Sequence, residues 1–337
     1  MRSHWTMLGI CAVVLGALTG TLAAQAAPAL PLLGAARPPA SAPAPVTARA
    51  LEAALYRAPV FAEPLVPMGP TTLKEDQALL RAVRVYARTA RPTDLTPLQT
   101  FAQTYPHSAW MVALDANAGF ADYRAGYFDR ALQAWTQAWT RGQSAQDPAA
   151  HALVDRDVAA LIKMQARLGH RQALAALLTA VRNRPLLGRA AATLQGAREG
   201  LWVMRHDPGV AYLCGPMALK NVLATLHPQD HTGLAQIKAY RSGPYGVTLN
   251  QVQALARRVH LAYTMAYRLS PATPIPLPAV IHWKVHHYAA LVAFAQGRYQ
   301  VDDPTFGRSL WMTPRAVAAE TDGYFLIPSA DATRAHG

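Results

Sequence analysis

Cys214, His287 and Asp303 are the residues of this chain whose types and order can do chemistry together. Cys214 opens the segment Cys214-Gly215-Pro216-Met217-Ala218-Leu219, and without the first 26 residues it is the only cysteine. A lone thiol has no intramolecular disulfide partner, so a crosslink does not explain it. The nucleophilic form is the thiolate, which is scarce at neutral pH because the free thiol has a pKa of about 8.5. A thiolate therefore needs a base, and the base needs an orienting acceptor. The chain supplies them in the order Cys, His, Asp, which points to a cysteine-nucleophile hydrolase.

Local features support that chemistry. Cys214 falls at the start of a predicted helix over 214–226, where unpaired N–H groups and the helix dipole favour negative charge. Gly215 permits close backbone approach, Pro216 is tolerated in a first helical turn, and the Cys214 amide can donate to an oxyanion. His287 opens the apolar run Tyr288–Phe294, a buried-strand pattern that would hold its ring on a rigid element. His286 should face the opposite way, because strand side chains alternate, and His282 shares its parity. His287 is therefore the expected base. Asp303 ends the next strand, within reach of His287, and would fix the imidazole tautomer. Pro304 stiffens the chain behind it.

The alternatives are plainer. Cys214 could be a small buried hydrophobe. His282 and His286 read as surface or satisfied sheet residues, Asp302 as a solvated neighbour or turn acceptor, and Trp283 and Tyr288 as core. A metal site from Cys214, His282, His286 and Asp302 has one ligand pair of conventional spacing. No metal and no cofactor is expected.

The elements that position these residues follow from pattern. After Pro208 a short helix begins at Cys214, and Thr248-Leu249-Asn250-Gln251 is a capping box opening a helix to Arg258. Strands are expected over 262–269, 279–284, 287–294, 298–302 and 323–327, with a Gln296-Gly297 hairpin turn. Helices first and antiparallel sheet after is an α+β pattern. Upstream, Thr72-Leu73-Lys74-Glu75 is another capping box, where order should begin. From about 94 to 205 helix follows helix. Ser108 is expected to cap one through Trp110, Leu114 and Phe120, which Gly126 ends. Gly119, Gly126, Ala131, Trp135 and Ala138 match the small and aromatic positions of a tetratricopeptide (TPR) hairpin. A weaker hairpin over 150–182 turns at Gly169, and a helix over 187–205 follows. The spacing is not a clean 34-residue repeat, and a plain helical bundle fits the pattern equally well.

At 337 residues the length allows two domains with sizeable cores. Arg2, the apolar stretch 8–23 and Ala24-Gln25-Ala26 read as a secretory signal. The expected organisation is a signal peptide over 1–26, a Pro/Ala-rich linker over 27–70, a TPR-like helical domain over 71–205, a peptidase-like domain over 206–330 and a tail over 331–337. The mature chain would sit in a periplasm or be secreted, with no transmembrane span beyond the signal segment. Losing the signal deletes Arg2 and no acid, so the net charge of +13 falls to +12. The charge favours an anionic partner or surface. Without a Lys/Arg run, no nucleic-acid partner is expected.

Residues 209–330 resemble the double-glycine leader peptidases, papain-like cysteine peptidases best known as N-terminal domains of bacteriocin exporters. That family carries a C-G-x-x-A-L helix, an H-[FY]-x-x-L strand and a D-P turn after the next strand. Cys214-Gly215…Ala218-Leu219, His287-Tyr288…Leu291 and Asp303-Pro304 match in order and spacing. The resemblance implies a papain-like fold with Cys214 as nucleophile, His287 as general base and Asp303 as orienting acid. There are two departures. The family usually has a glutamine six residues before the cysteine, completing the oxyanion hole. Here that position is Pro208, between Asp207 and Gly209, and the nearest upstream glutamine is Gln195. Loss of one such donor lowers rates by about 10²–10³. The family also works on the cytoplasmic side of an exporter, whereas this chain carries a signal-like segment and no transporter. The combination of signal, TPR-like helices and this domain is similar to modules found with RHS-type polymorphic toxin systems, which would make a secreted toxin-type protein the partner.

The leading expectation is an exported thiol peptidase acting on a protein or peptide substrate recruited by the helices. Acyl transfer to an amine uses the same chemistry. A catalytically weak or inactive peptidase-fold module that binds peptides is the alternative, and a cell-wall amidase is a third reading.

Overall fold

The structure, a computed structural model, describes residues 47–89, 93–306 and 309–332. The signal-like segment and the linker as far as residue 46 lie outside the described residues. Order begins earlier than the capping box at Thr72. The first helix, α1 (Ala48–Tyr56), is capped by the Thr47 side chain and buries Leu51 and Leu55. Leu65 and Val66 are buried as well. The expected linker over 27–70 is therefore too long. The prolines run from Pro28 to Pro45 and resume at Pro59, and the nine residues of α1 between them contain neither proline nor glycine.

Seven more helices follow: α2 (Leu73–Arg88), α3 (Thr96–Thr104), α4 (Met111–Arg124), α5 (Phe128–Gly142), α6 (Pro148–Leu168), α7 (Arg171–Ala180) and α8 (Gly188–His206). The Thr72–Glu75 capping box opens α2. Within α2, buried Asp76 accepts the indole N–H of Trp110 at 2.8 Å and the Thr71 hydroxyl at 2.9 Å. Helix α4 starts after Trp110, without a side-chain cap. Ser108 lies two residues before the cap position and instead accepts the Trp110 N–H at 3.4 Å. Helices α4 and α5 form a hairpin whose seam is closed by Gly119, where a Cβ would overlap the Trp135 indole. Ala131 and Ala138 complete the buried small positions. Gly126 turns the chain with φ +83° and Gly169 ends α6 with φ +74°, both in the left-handed region that suits glycine.

The rest of the chain is helix, then sheet. Helices α9 (Pro208–Ala211), α10 (Cys214–Leu226), α11 (His231–Lys238) and α12 (Leu249–Arg258) precede strands β1 (Tyr263–Tyr267), β2 (Ala279–Trp283), β3 (His287–Ala295), β4 (Arg298–Asp302) and β5 (Ser309–Met312). Helix α13 (Pro314–Glu320), strand β6 (Thr321–Pro328) and α14 (Ser329–Ala332) finish it. The six strands form one sheet in the order β1-β6-β2-β3-β4-β5, and every neighbouring pair is antiparallel. The class is α+β. Six elements went unread in the sequence: α1, α9, α11, β5, α13 and α14. All are short, the longest having nine residues, too few for a clear period.

Alternation along the strands sorts the sheet's two faces. Val280, Tyr288, Ala290 and Leu326 pack with Ala218, Leu219, Val222 and Leu223 of α10. Ile281, Trp283, Leu291, Val301, Phe325 and Ile327 face the other way and join a core that runs on into α2–α8. Phe128 of α5 meets Trp283 edge-on at 6.1 Å and stacks on Phe306 at 4.8 Å. The described residues form one compact unit. The change of texture near residue 206 is a change of element type within a shared core.

Candidate active site

Cys214 is the first residue of α10, and the preceding Leu213 provides no side-chain cap. The first amides of the helix are thus left free by the side chain before them, next to the thiol. Gly215 holds α10 against its neighbours: a Cβ there would overlap methyls of Val247 and Val252 and approach the Tyr288 ring at 3.3 Å.

His287 is the first residue of β3, paired with Trp283 of β2, and is 1% exposed. Its Nε2 lies 3.0 Å from both carboxylate oxygens of Asp303. Asp303 is itself pinned by its turn, since its Oδ1 accepts the N–H groups of Thr305 at 2.8 Å and Phe306 at 3.1 Å. It stands one residue beyond the end of β4. Cys214 lies close enough to His287 for each to shift the other's pKa. With Nε2 engaged by Asp303, the ring nitrogen left for sulfur is Nδ1.

The electrostatics run in one direction. Burial works to raise the Cys214 pKa. The hydrogen bond and charge of His287, with the N–H groups of Tyr288 and Gly215, outweigh it and hold the thiol below its ordinary value. Burial likewise works to lower the His287 pKa, but Asp303 and Cys214 override it and push the imidazole up to about 10. Both shifts favour the thiolate–imidazolium form of the pair.

Cys214 opens onto a cleft of about 590 Å³. The lining includes Tyr212, Tyr245, Thr248, Met265, His282, His286, Tyr288, Asp322 and Tyr324, together with Leu168, Gly169 and His170 from the α6–α7 turn. His286 does not face away by strand alternation. It is the last residue of the tight β2–β3 turn, with φ +53°, and its N–H donates to the Trp283 carbonyl at 2.9 Å. That left-handed residue breaks the alternation and leaves His286 and His287 serving different surroundings. His282 is paired at Nδ1 with Asp322 at 2.5 Å and packs on Tyr288, ring centres 4.6 Å apart. Asp302 accepts a long 3.5 Å contact from the Asn221 amide at its backbone carbonyl. Among the described residues no group of three or more His, Cys, Asp or Glu is arranged to hold a metal ion.

Among the described residues no side-chain amide lines the cleft. Pro208, where the oxyanion glutamine would stand, begins α9, and Asp207 beside it pairs with Arg241. Two contributors escaped the sequence reading, Asp322 and His170, because each reaches the cleft from an element distant in the chain. Gly169 was legible only as a turn.

No protein-family model matches the chain. No curated protein sequence matches it either. Among solved structures it is similar to a double glycine motif protease from an AMS/PCAT transporter, crystallised in complex with the leader peptide. That likeness has 23% identity and a TM-score of 0.28, and covers 34% of this chain and 81% of that one. At that score it carries no weight beside the site's own geometry.

Proposed function

We propose that this chain is a cysteine peptidase in which Cys214 is the nucleophile, His287 the proton shuttle and Asp303 the group that orients it. The observation that carries this reading is the buried His287–Asp303 pair, hydrogen-bonded and electrostatically coupled to Cys214, which opens onto a cleft. The Cys214 thiolate attacks the scissile carbonyl, and the amides at the start of α10 face the charge that develops on oxygen. Nδ1–H of His287 then protonates the departing amine, so the C–N bond breaks and a thioester remains. His287, now neutral, takes a proton from water, whose oxygen attacks the thioester. The acid product leaves, and thiolate and imidazolium are restored. An amine in place of water gives acyl transfer by the same steps.

The substrate class is a protein or peptide, with the helical segment offering surface for its recruitment and a secreted toxin-type protein as the proposed partner. The proposed compartment is periplasmic or extracellular, on the strength of the signal-like residues 1–26. Among the described residues no helix is long and apolar enough to cross a membrane.

The missing side-chain amide favours a second reading, a peptide-binding module of low turnover. Incubation of a peptide library with wild type and Cys214→Ala separates the two. Cleavage products formed only by the wild type support the peptidase. Peptide binding that both proteins share, without products, supports the module.

A further inference from the structure

The turn between α6 and α7 touches both arms of the catalytic centre. Gly169 lies against Tyr212, two residues before Cys214, so closely that a Cβ would sit 2.8 Å from the tyrosine ring. The next residue, His170, places Nε2 2.9 Å from the carbonyl oxygen of Val285, two residues before His287. Its Nδ1 lies 2.6 Å from Oε1 of the Gln165 side chain. A carbonyl only accepts, so Nε2 must carry the proton that meets Val285. Burial is the main cause that lowers the His170 pKa, which favours the neutral ring with a single N–H. In that form Nδ1 accepts, so the Gln165 amide, placed with Oε1 toward the ring, is turned over to present its NH₂, the orientation that the hydrogen-bond network assigns. The ring also meets His286 edge-on, with centres 6.4 Å apart. His170 is therefore held in one tautomer and aimed at the turn that carries the base.

We infer that His170 is a positioning residue of the catalytic centre: its Nε2–H bond to the Val285 carbonyl sets the Lys284–Val285–His286 turn, and through it the imidazole of His287 against Cys214. The helical segment is thereby part of the active centre as well as a flank to it. The inference rests on the Cys214–His287 relay of the proposed peptidase. The titratable groups gathered here are His286 in the turn, His287 and Tyr288 on β3, Tyr212 before α10, and the His282–Asp322 pair of β2 and β6.

Alkylation of Cys214 by iodoacetamide between pH 5 and 9 reads the thiolate directly and needs no substrate. The proteins are the wild type, His170→Phe and His170→Gln. Phenylalanine keeps a ring against His286 but removes the donor, whereas glutamine retains an N–H within reach of Val285. His170→Phe should react roughly 5–30-fold more slowly at pH 5–7, the change expected on losing one partly buried hydrogen bond. Near pH 9, where an ordinary thiol also ionises, its rate should approach that of the wild type. His170→Gln should recover most of the loss. A packing role alone would lower the melting temperature of both variants without altering the profile, and that result overturns the inference. A His170→Phe profile superimposed on the wild type does the same while leaving the relay intact. Failure of the relay itself looks different, because the wild type would then label only near pH 8–9. Should His170→Phe not fold, Gln165→Leu frees the ring from its other anchor. Slower labelling at low pH supports the inference, and an unchanged rate overturns it.

Discussion

A thiolate held below its ordinary pKa and an imidazole held above its own define this site at the level of single residues. Cys214→Ala should remove turnover while leaving the unfolding transition in place. His287→Ala should lower it by about 10²–10⁴, the range for loss of a positioned acid–base group. Asp303→Asn should reduce it less than either, and steady-state rates on any cleaved peptide measure all three. Folding raises the His287 pKa to about 10, above an unfolded value near 6.5. Its contribution to stability is therefore complete below about pH 6.5 and lost as pH climbs through about 10. The stability difference between wild type and His287→Ala should shrink from pH 6 to pH 10. Denaturant unfolding at several pH values tests this, and a difference that grew with pH would contradict the assignment.

Helices and strands set how closely these residues meet. Gly215→Ala would drive a methyl into Val247 and Val252. Such overpacking lowers stability by about 1–3 kcal/mol, visible as a lower denaturant midpoint, and it displaces the start of α10, so alkylation at pH 6 should slow too. Within α6, Asp157 is fully buried and neither carboxylate oxygen has a hydrogen-bond partner. Burial first, and Asp115 second, push its pKa well above the ordinary carboxylate value. The raised pKa means that its favourable contribution holds at acid pH and is lost as pH rises. Asp157→Asn should therefore gain stability over the wild type between pH 5 and pH 8, with thermal unfolding as the readout. A variant that lost ground over that interval would show that Asp157 has a partner in solution.

Across the whole molecule, the sheet is covered on one face by α10 and its neighbours and on the other by the long helical segment. Trp283 is fully buried on the helical side, so Trp283→Ala should destabilise the entire unit by about 3–5 kcal/mol. A fragment holding only residues 206–332 would expose Ile281, Trp283, Leu291 and Phe325 and should not unfold cooperatively. Calorimetry of the fragment beside the full chain settles the point. A sharp transition in the isolated fragment would mean that the shared core is dispensable.

What could be read from the residues alone was short in range. Both capping boxes, the Gly126 and Gly169 turns, the Gln296–Gly297 hairpin and the alternation of β2 and β3 depend on neighbours a few positions apart, so local pattern was enough to place them. The relay residues were legible because each starts or follows a recognisable element. Long-range packing settled the rest. Asp322 reaches His282 across 40 residues, Glu320 accepts the Asp129 N–H across 191, and His170 meets Val285 across 115. Such pairs leave no periodic trace. They arise only when two apolar faces bury each other, which brings side chains of unrelated positions within hydrogen-bonding distance. The turn conformation of His286 belongs with them, since alternation holds within a strand and the chain had not yet entered one.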